Sequence, residues 1–141
     1  ESVSGDVTID DVTADELDVQ SVSGDVEITG MSVRELDMES VSGKLGASGT
    51  VESADTQATS GNTVLTLDAT PRKLDMDSVS GKIRVYLPAS ADDFTAKLDS
   101  VSGDLSCEFP SVMKNGRYTV GGGAREYEFE TVSGDVELLK Q

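Results

Sequence analysis

Apolar residues recur at every second position in short runs, as in Leu17/Val19, Val26/Ile28, Leu36/Met38, Leu74/Met76 and Ile83/Val85. This is the period of a strand with one face on a core. The interrupting residues are β-branched, Gly and Ser, which argues against helix. One tetrapeptide punctuates the runs. Ser-Val-Ser-Gly begins at Ser2, Ser21, Ser40, Ser78 and Ser100, Thr-Val-Ser-Gly begins at Thr131, and a degenerate Ala-Thr-Ser-Gly begins at Ala58. The seven glycines, Gly5, Gly24, Gly43, Gly61, Gly81, Gly103 and Gly134, lie 19, 19, 18, 20, 22 and 31 residues apart. The unit is therefore one of about 19 residues, with an insertion before the last copy.

Superposing the units gives four mostly apolar columns. Two precede the turn: Leu17, Leu36, Ala54, Leu74, Ala96, Tyr127, and Val19, Met38, Thr56, Met76, Leu98, Phe129. Two follow it: Val7, Val26, Leu45, Thr63, Ile83, Leu105, Val136, and Ile9, Ile28, Ala47, Leu65, Val85, Cys107, Leu138. Such columns are what inward-facing ladders require when each coil lies on the one before it at about 4.8 Å. The alternation breaks between Val19 and Val22 and across Ser23-Gly24-Asp25, which implies two corners, with a third near Thr29-Gly30. The pattern predicts an all-β, single-stranded parallel β-solenoid of about seven coils of 18–22 residues, one domain over residues 1–141. A sandwich of antiparallel hairpins also suits the turn spacing. It gives no reason for like residues to recur at one phase, whereas stacking like on like does.

The insertion, near residues 110–123, carries Asn115-Gly116 between Val112-Met113 and Tyr118-Val120. That is a two-residue hairpin signal, since both turn positions need positive φ, and it predicts an excursion from the sixth coil. Together with the bulky Tyr127 and Phe129, it predicts a capped carboxyl end. The amino end is expected to be open along Val3 to Ile9, able to template another chain and so to support end-to-end self-association. Val26, Ile28, Leu36, Met38, Leu74, Met76, Ile83, Val85, Leu98, Leu105 and Cys107 are the expected core.

Charge narrows the partners. With 27 acidic and 11 basic residues the net charge is −16, which repels phosphate backbones and anionic headgroups. Nucleic acid is excluded as a partner, and no apolar run is long enough for direct membrane insertion of this segment. The chain opens at Glu1, within a repeat and without Met, which implies that a leader or upstream segment was removed. There is no histidine and one cysteine, Cys107. Ser-His-Asp hydrolysis, Cys-His proteolysis and His-ligated zinc thus lose their central residue. No catalytic residue and no cofactor is expected.

Candidate chemistry lies in the columns. Asp18, Asp37, Asp55 and Asp75 share one phase, and Glu39, Asp77, Asp99 and Glu130 share another. Stacked carboxylates make calcium a candidate ligand at Asp18, Asp37 and Asp75, although the nine-residue calcium repeat is absent and a solvated, solubilising face explains the same pattern. The position after each glycine reads Asp6, Asp25, Lys44, Asn62, Lys82, Asp104, Asp135, which predicts ion pairs Lys44–Asp25 and Lys82–Asp104 that set the register. The paired serines are read as turn residues bonding the backbone. Of the six aromatic residues, Tyr86 and Tyr118 are left as exposed platforms for a glycan.

The recurring Ser-Val-Ser-Gly-Asp-Val, the Leu-Pro-Ala-Ser-Ala-Asp of residues 87–92 with Phe94-Thr95-Ala96, and the closing Gly-Gly-Ala-Arg before Thr131 to Val136 resemble a bacterial family of β-strand-repeat domains of unknown function that carries the label adhesin. The resemblance spans essentially the whole chain. It implies a right-handed parallel β-helix, placement outside the cell or on its surface, and no established catalytic residues. The function expected from it is a non-enzymatic module binding a surface macromolecule, protein or glycan. The alternatives are an extracytoplasmic spacer or envelope-stress sensor domain of a membrane-anchored protein, and a polysaccharide lyase-like enzyme built on Arg84 and nearby acids.

Overall fold

A computed structural model describes residues 2–69, 71–88, 93–108, 112–114, 117–121 and 125–140. Its elements are all strands: β1 (Ser2–Ser4), β2 (Val7–Asp10), β3 (Thr13–Ser23), β4 (Val26–Ser40), β5 (Leu45–Ser60), β6 (Thr63–Leu67), β7 (Lys73–Ser80), β8 (Ile83–Leu87), β9 (Phe94–Ser102), β10 (Leu105–Cys107), β11 (Val112–Lys114), β12 (Arg117–Val120), β13 (Arg125–Ser133) and β14 (Val136–Lys140). They form one curled, solenoid-like sheet of two ladders joined through the long, bent β4 and β5. One ladder holds the segments before each glycine turn and the other those after it. Pairing within the two ladders is parallel and stacks like on like, as in Leu17↔Leu36 and Ser21↔Ser40.

The Ser-Val-Ser-Gly-Asx motif is accounted for atom by atom. The first hydroxyl turns inward and donates to the carbonyl two residues on, Ser21 to Ser23 at 3.3 Å, Ser40 to Ser42 at 3.2 Å and Ser78 to Ser80 at 3.2 Å. The second donates to the neighbouring unit, Ser42 to Val22 O and Ser60 to Val41 O. All seven glycines have positive φ, and from Gly24 onward a Cβ would strike the carbonyl of the glycine stacked against it. The Asx oxygen then accepts the main-chain N–H of the same position one rung on: Asp6 from Asp25, Asp25 from Lys44, Asn62 from Lys82. The alternation of Asp and Lys is thus an acceptor ladder, and Lys44 meets Asp25 through its backbone. The third corner lies where φ is again positive, at Asp11, Gly30 and Gly49.

Chain order and stacking order diverge after β8. β13 pairs with β7 on one side and β9 on the other, and β14 lies between β8 and β10. The last unit of the sequence is therefore slotted between the fifth and the sixth. This corrects the expected pair Lys82–Asp104: Ile83 N–H donates to Asp135 O, and Asp104 N–H donates to Asp135 Oδ1. Side-chain volume supplies a reason. Tyr127 and Phe129 are fully buried between Leu74 and Met76 of β7 and Ala96 and Leu98 of β9, the Tyr127 ring stacks on Phe94 at 5.0 Å, and its hydroxyl donates to Pro71 O at 2.8 Å. Rings of that size bury more apolar area inside the stack than at its end.

β11 and β12 form the expected hairpin, antiparallel with Lys114↔Arg117, while the turn residues Asn115 and Gly116 fall outside the described residues, as do Gly122 and Gly123. β12 pairs antiparallel with β9. The hairpin thus covers one end of the stack, but that end is the sixth unit and not the closing one. At the opposite end β1 and β2 each have a single neighbour, so that edge is open among the described residues.

The core is continuous. Val26, Ile28, Leu36, Met38, Leu74, Met76, Ile83 and Val85 are buried, joined by Met31, Val33, Val51, Leu67 and Leu87 from the third side. Leu98 and Leu105 are only partly buried because the sixth unit, as the outermost, is stacked on one side by a full unit. The Cys107 side chain lies outside the described ones.

Candidate functional site

Alternation sends Leu17 and Val19 inward and Glu16, Asp18 and Gln20 outward, and every unit repeats this on the ladder that precedes the turns. Register then decides which charges are neighbours. Asp18, Asp37, Asp55, Asp75 and Glu128 follow one another on adjacent rungs, ending in Lys97 and Arg117. A parallel file runs Gln20, Glu39, Gln57, Asp77, Glu130, Asp99. Neighbours in a file are about 4.8 Å apart along the stack, close enough for like charges to raise one another's proton affinity. Asp55 has its pKa raised from the usual 3.8, first by burial, then by Asp75 and Asp37, with Lys73 opposing. Asp77 is raised in the same direction by burial, by Asp75, Glu130 and Asp55, and by a hydrogen bond with Glu130, and its Oδ1 is buried without a hydrogen-bond partner.

The sequence-predicted ligands Asp18, Asp37 and Asp75 fall in this file, with Asp55 between the latter two. They line up along the stack. Among the described residues no group of three or more His, Cys, Asp or Glu side chains is arranged to hold a metal ion.

A second feature borders the acidic files. The residue between the two serines lies at the corner, where the alternation slips by one, and points to solvent. Val22, Val41, Val79 and Val132 are about half exposed and Val101 is 84% exposed, and they follow the corner along the stack with Thr59 between Val41 and Val79. Between this stripe and the second file runs a shallow groove, with Glu39, Asp77, Asp99 and Glu130 on one wall and Val41, Val79, Val101 and Val132 on the other. Sequence reading passed over these valines, although the parity break that it located at the corner was the signal for them.

The tyrosine platforms separate. Tyr86 lies on the outer side of the ladder after the turns, half-buried between Thr66 and Leu139. Tyr118 is no free platform: it sits on β12 opposite Ala96, packs against the core and donates its hydroxyl to Leu105 O at 3.4 Å. Arg84 is held by Glu137, Nε to Oε2 at 3.0 Å, on the face away from the acidic files.

The model of the family described as Toastrack DUF4097 matches residues 1–139. No curated protein and no solved structure was found to match the chain.

Proposed function

We propose, from the premise that the chain belongs to the Toastrack DUF4097 family of domains of unknown function, that it is a non-enzymatic bacterial surface module, an adhesin in the broad sense, that binds another macromolecule. The winding we infer is a right-handed parallel β-helix of seven coils, the hand followed by nearly all parallel crossover connections. The observation that carries the function is the groove between the carboxylate file Glu39, Asp77, Glu130, Asp99 and the valine corner. One wall carries carboxylates, among which Asp77 has its proton affinity raised by burial and by Asp75, Glu130 and Asp55, and the other is apolar. An extended chain that alternates cationic and apolar groups presents the cations to one wall and the apolar groups to the other. Against enzyme chemistry stand the absence of histidine from the sequence, the engagement of the turn serines in backbone bonds, and the pairing of Arg84 with Glu137.

The test is interferometry on immobilised protein with a Lys-Val alternating peptide, beside a glycan array. Binding should fall at least tenfold in Asp77→Asn/Glu130→Gln and in Val79→Ser/Val132→Ser, weaken with salt, and survive Glu27→Gln on the opposite ladder. Equal binding by all four proteins, or no binding to peptide or glycan, overturns the reading and leaves a spacer role.

A further inference from the structure

The ladder after the turns carries a patch of the opposite sign. Over residues 44–48, 62–66 and 82–86, three consecutive rungs of the stack, stand Lys44, Lys82 and Arg84 and no carboxylate, in a chain whose net charge is −16. Lys44, Asn62 and Lys82 form one exposed file, in which the two lysines are two rungs or about 9.6 Å apart. Asn62 gives its Oδ1 to the Lys82 N–H at 3.0 Å, which leaves its side-chain amide to donate. Among the described residues neither lysine has a carboxylate within ion-pair distance, and Asp25 meets Lys44 through the backbone.

Beside this file the sheet is dented. Gly46 lies mid-strand in β5, in register with Glu27 on one side and Val64 on the other, so no bulge accounts for it. Its backbone does not require glycine either, since a Cβ would meet only Val26 O, at 3.8 Å. A glycine that neither turn nor bulge requires weakens a strand and marks a place where another group comes close to the sheet. The dent is the floor of a groove of about 480 Å³, a volume within the range of ligand sites. Lys44, Asn62 and Lys82 make one wall, Ser48 and Thr66 the other, and Val64 lies beside Gly46 on the floor. Asp25 and Glu27 close one end, and Arg84 with its partner Glu137 the other.

We infer that this groove binds an acidic saccharide, one whose carboxylates are separated by neutral hydroxylated rings. The donors of one wall take the carboxylates in charge-assisted bonds, Ser48 and Thr66 bond ring hydroxyls, and the C–H face of a ring rests on Gly46 and Val64. Two other anionic polymers fit less well. A phosphate backbone carries a charge about every 3.4 Å along each strand and would run onto the carboxylates at either end. An acidic peptide draws its main-chain bonds from a sheet edge, and this floor is a sheet face. The site lies on the ladder opposite the valine groove and does not depend on what that groove binds.

The test is calorimetric titration of the full chain with a hyaluronate hexasaccharide, which carries a carboxylate on every second ring. Lys44→Gln/Lys82→Gln should weaken binding at least tenfold, and the neutral carboxyl methyl ester of the same saccharide should bind the unaltered protein as poorly. Gly46→Val keeps every charge, fills the floor and suits a strand; it should also lose binding at least tenfold while its melting temperature holds. Asp77→Asn/Glu130→Gln should bind the saccharide no more weakly than the unaltered protein. Absence of binding at millimolar saccharide, binding retained by Gly46→Val, equal binding of hexaglutamate, or a loss in Asp77→Asn/Glu130→Gln that places the saccharide in the valine groove overturns the inference.

Discussion

Asn62 accepts the backbone N–H of Lys82 through Oδ1 at 3.0 Å, while Lys44, one rung earlier, has no oxygen to offer the N–H of Asn62. The value of the position after the glycine therefore lies in an acceptor and not in a charge. Asn62→Ala should cost about 1 kcal/mol, the net worth of one such bond, and Lys44→Asn, which supplies the missing acceptor, should gain a comparable amount. Lys82→Ala should leave stability unchanged. Urea denaturation midpoints of the three variants check this, and a loss in Lys82→Ala equal to that in Asn62→Ala would restore ion pairing as the explanation. The residues of this position could be aligned from sequence, but the partner of each side-chain oxygen is a main-chain group about 19 residues away that no residue type reveals.

The ladder before the turns is an element whose packing and charge oppose each other. Its inner columns hold the core, and its outer files bring carboxylates together by the same register. Asp55 and Asp77 have folded-state pKa values above the ordinary 3.8 of the unfolded chain. Between those limits the folded state binds more protons than the unfolded one, so stability falls as pH rises through the folded values and is gained as pH is lowered from neutral toward the ordinary carboxylate range. The melting temperature should accordingly rise as pH is lowered from 7 toward the ordinary carboxylate range, and added salt should raise it at pH 7 by screening the files. Asp77→Asn should raise stability at pH 7 by on the order of a few tenths of a kcal/mol, as expected for a half-exposed like-charge contact, and should flatten the pH dependence. Thermal melts across this range check the sign; a midpoint that falls steadily on acidification contradicts it.

For the whole molecule the order of stacking sets the distribution of stability. Tyr127, inside the stack, should cost about 3–5 kcal/mol on truncation to Ala, the range for a buried aromatic. Leu98, on the outermost full unit and only partly buried, should cost about half as much or less when changed to Ala. Amide hydrogen exchange should show β13 and β14 better protected than β9 and β10, although they come last in the chain. Stacking in sequence order would reverse both rankings.

The sequence by itself determined the period, the glycine corners, the four apolar columns and the hairpin, because each rests on a local rule: alternation at two residues, positive φ at glycine, and like residues at one phase of a repeat. It also determined the acidic files, since identical register follows from identical motif. It did not determine the order of the last two units. Every copy of Ser-Val-Ser-Gly-Asp offers the same hydrogen bonds to any other, so the motif that makes the ladder legible carries no information about which copy lies on which. Only the tertiary structure decided that order. Tyr127 and Phe129 find their greatest burial in the interior, and the chain of residues 108–124 is long enough to return them there. The same decision left Leu98 and Leu105 half-buried, turned Tyr118 into part of an end cap, and left the valine stripe lining a groove.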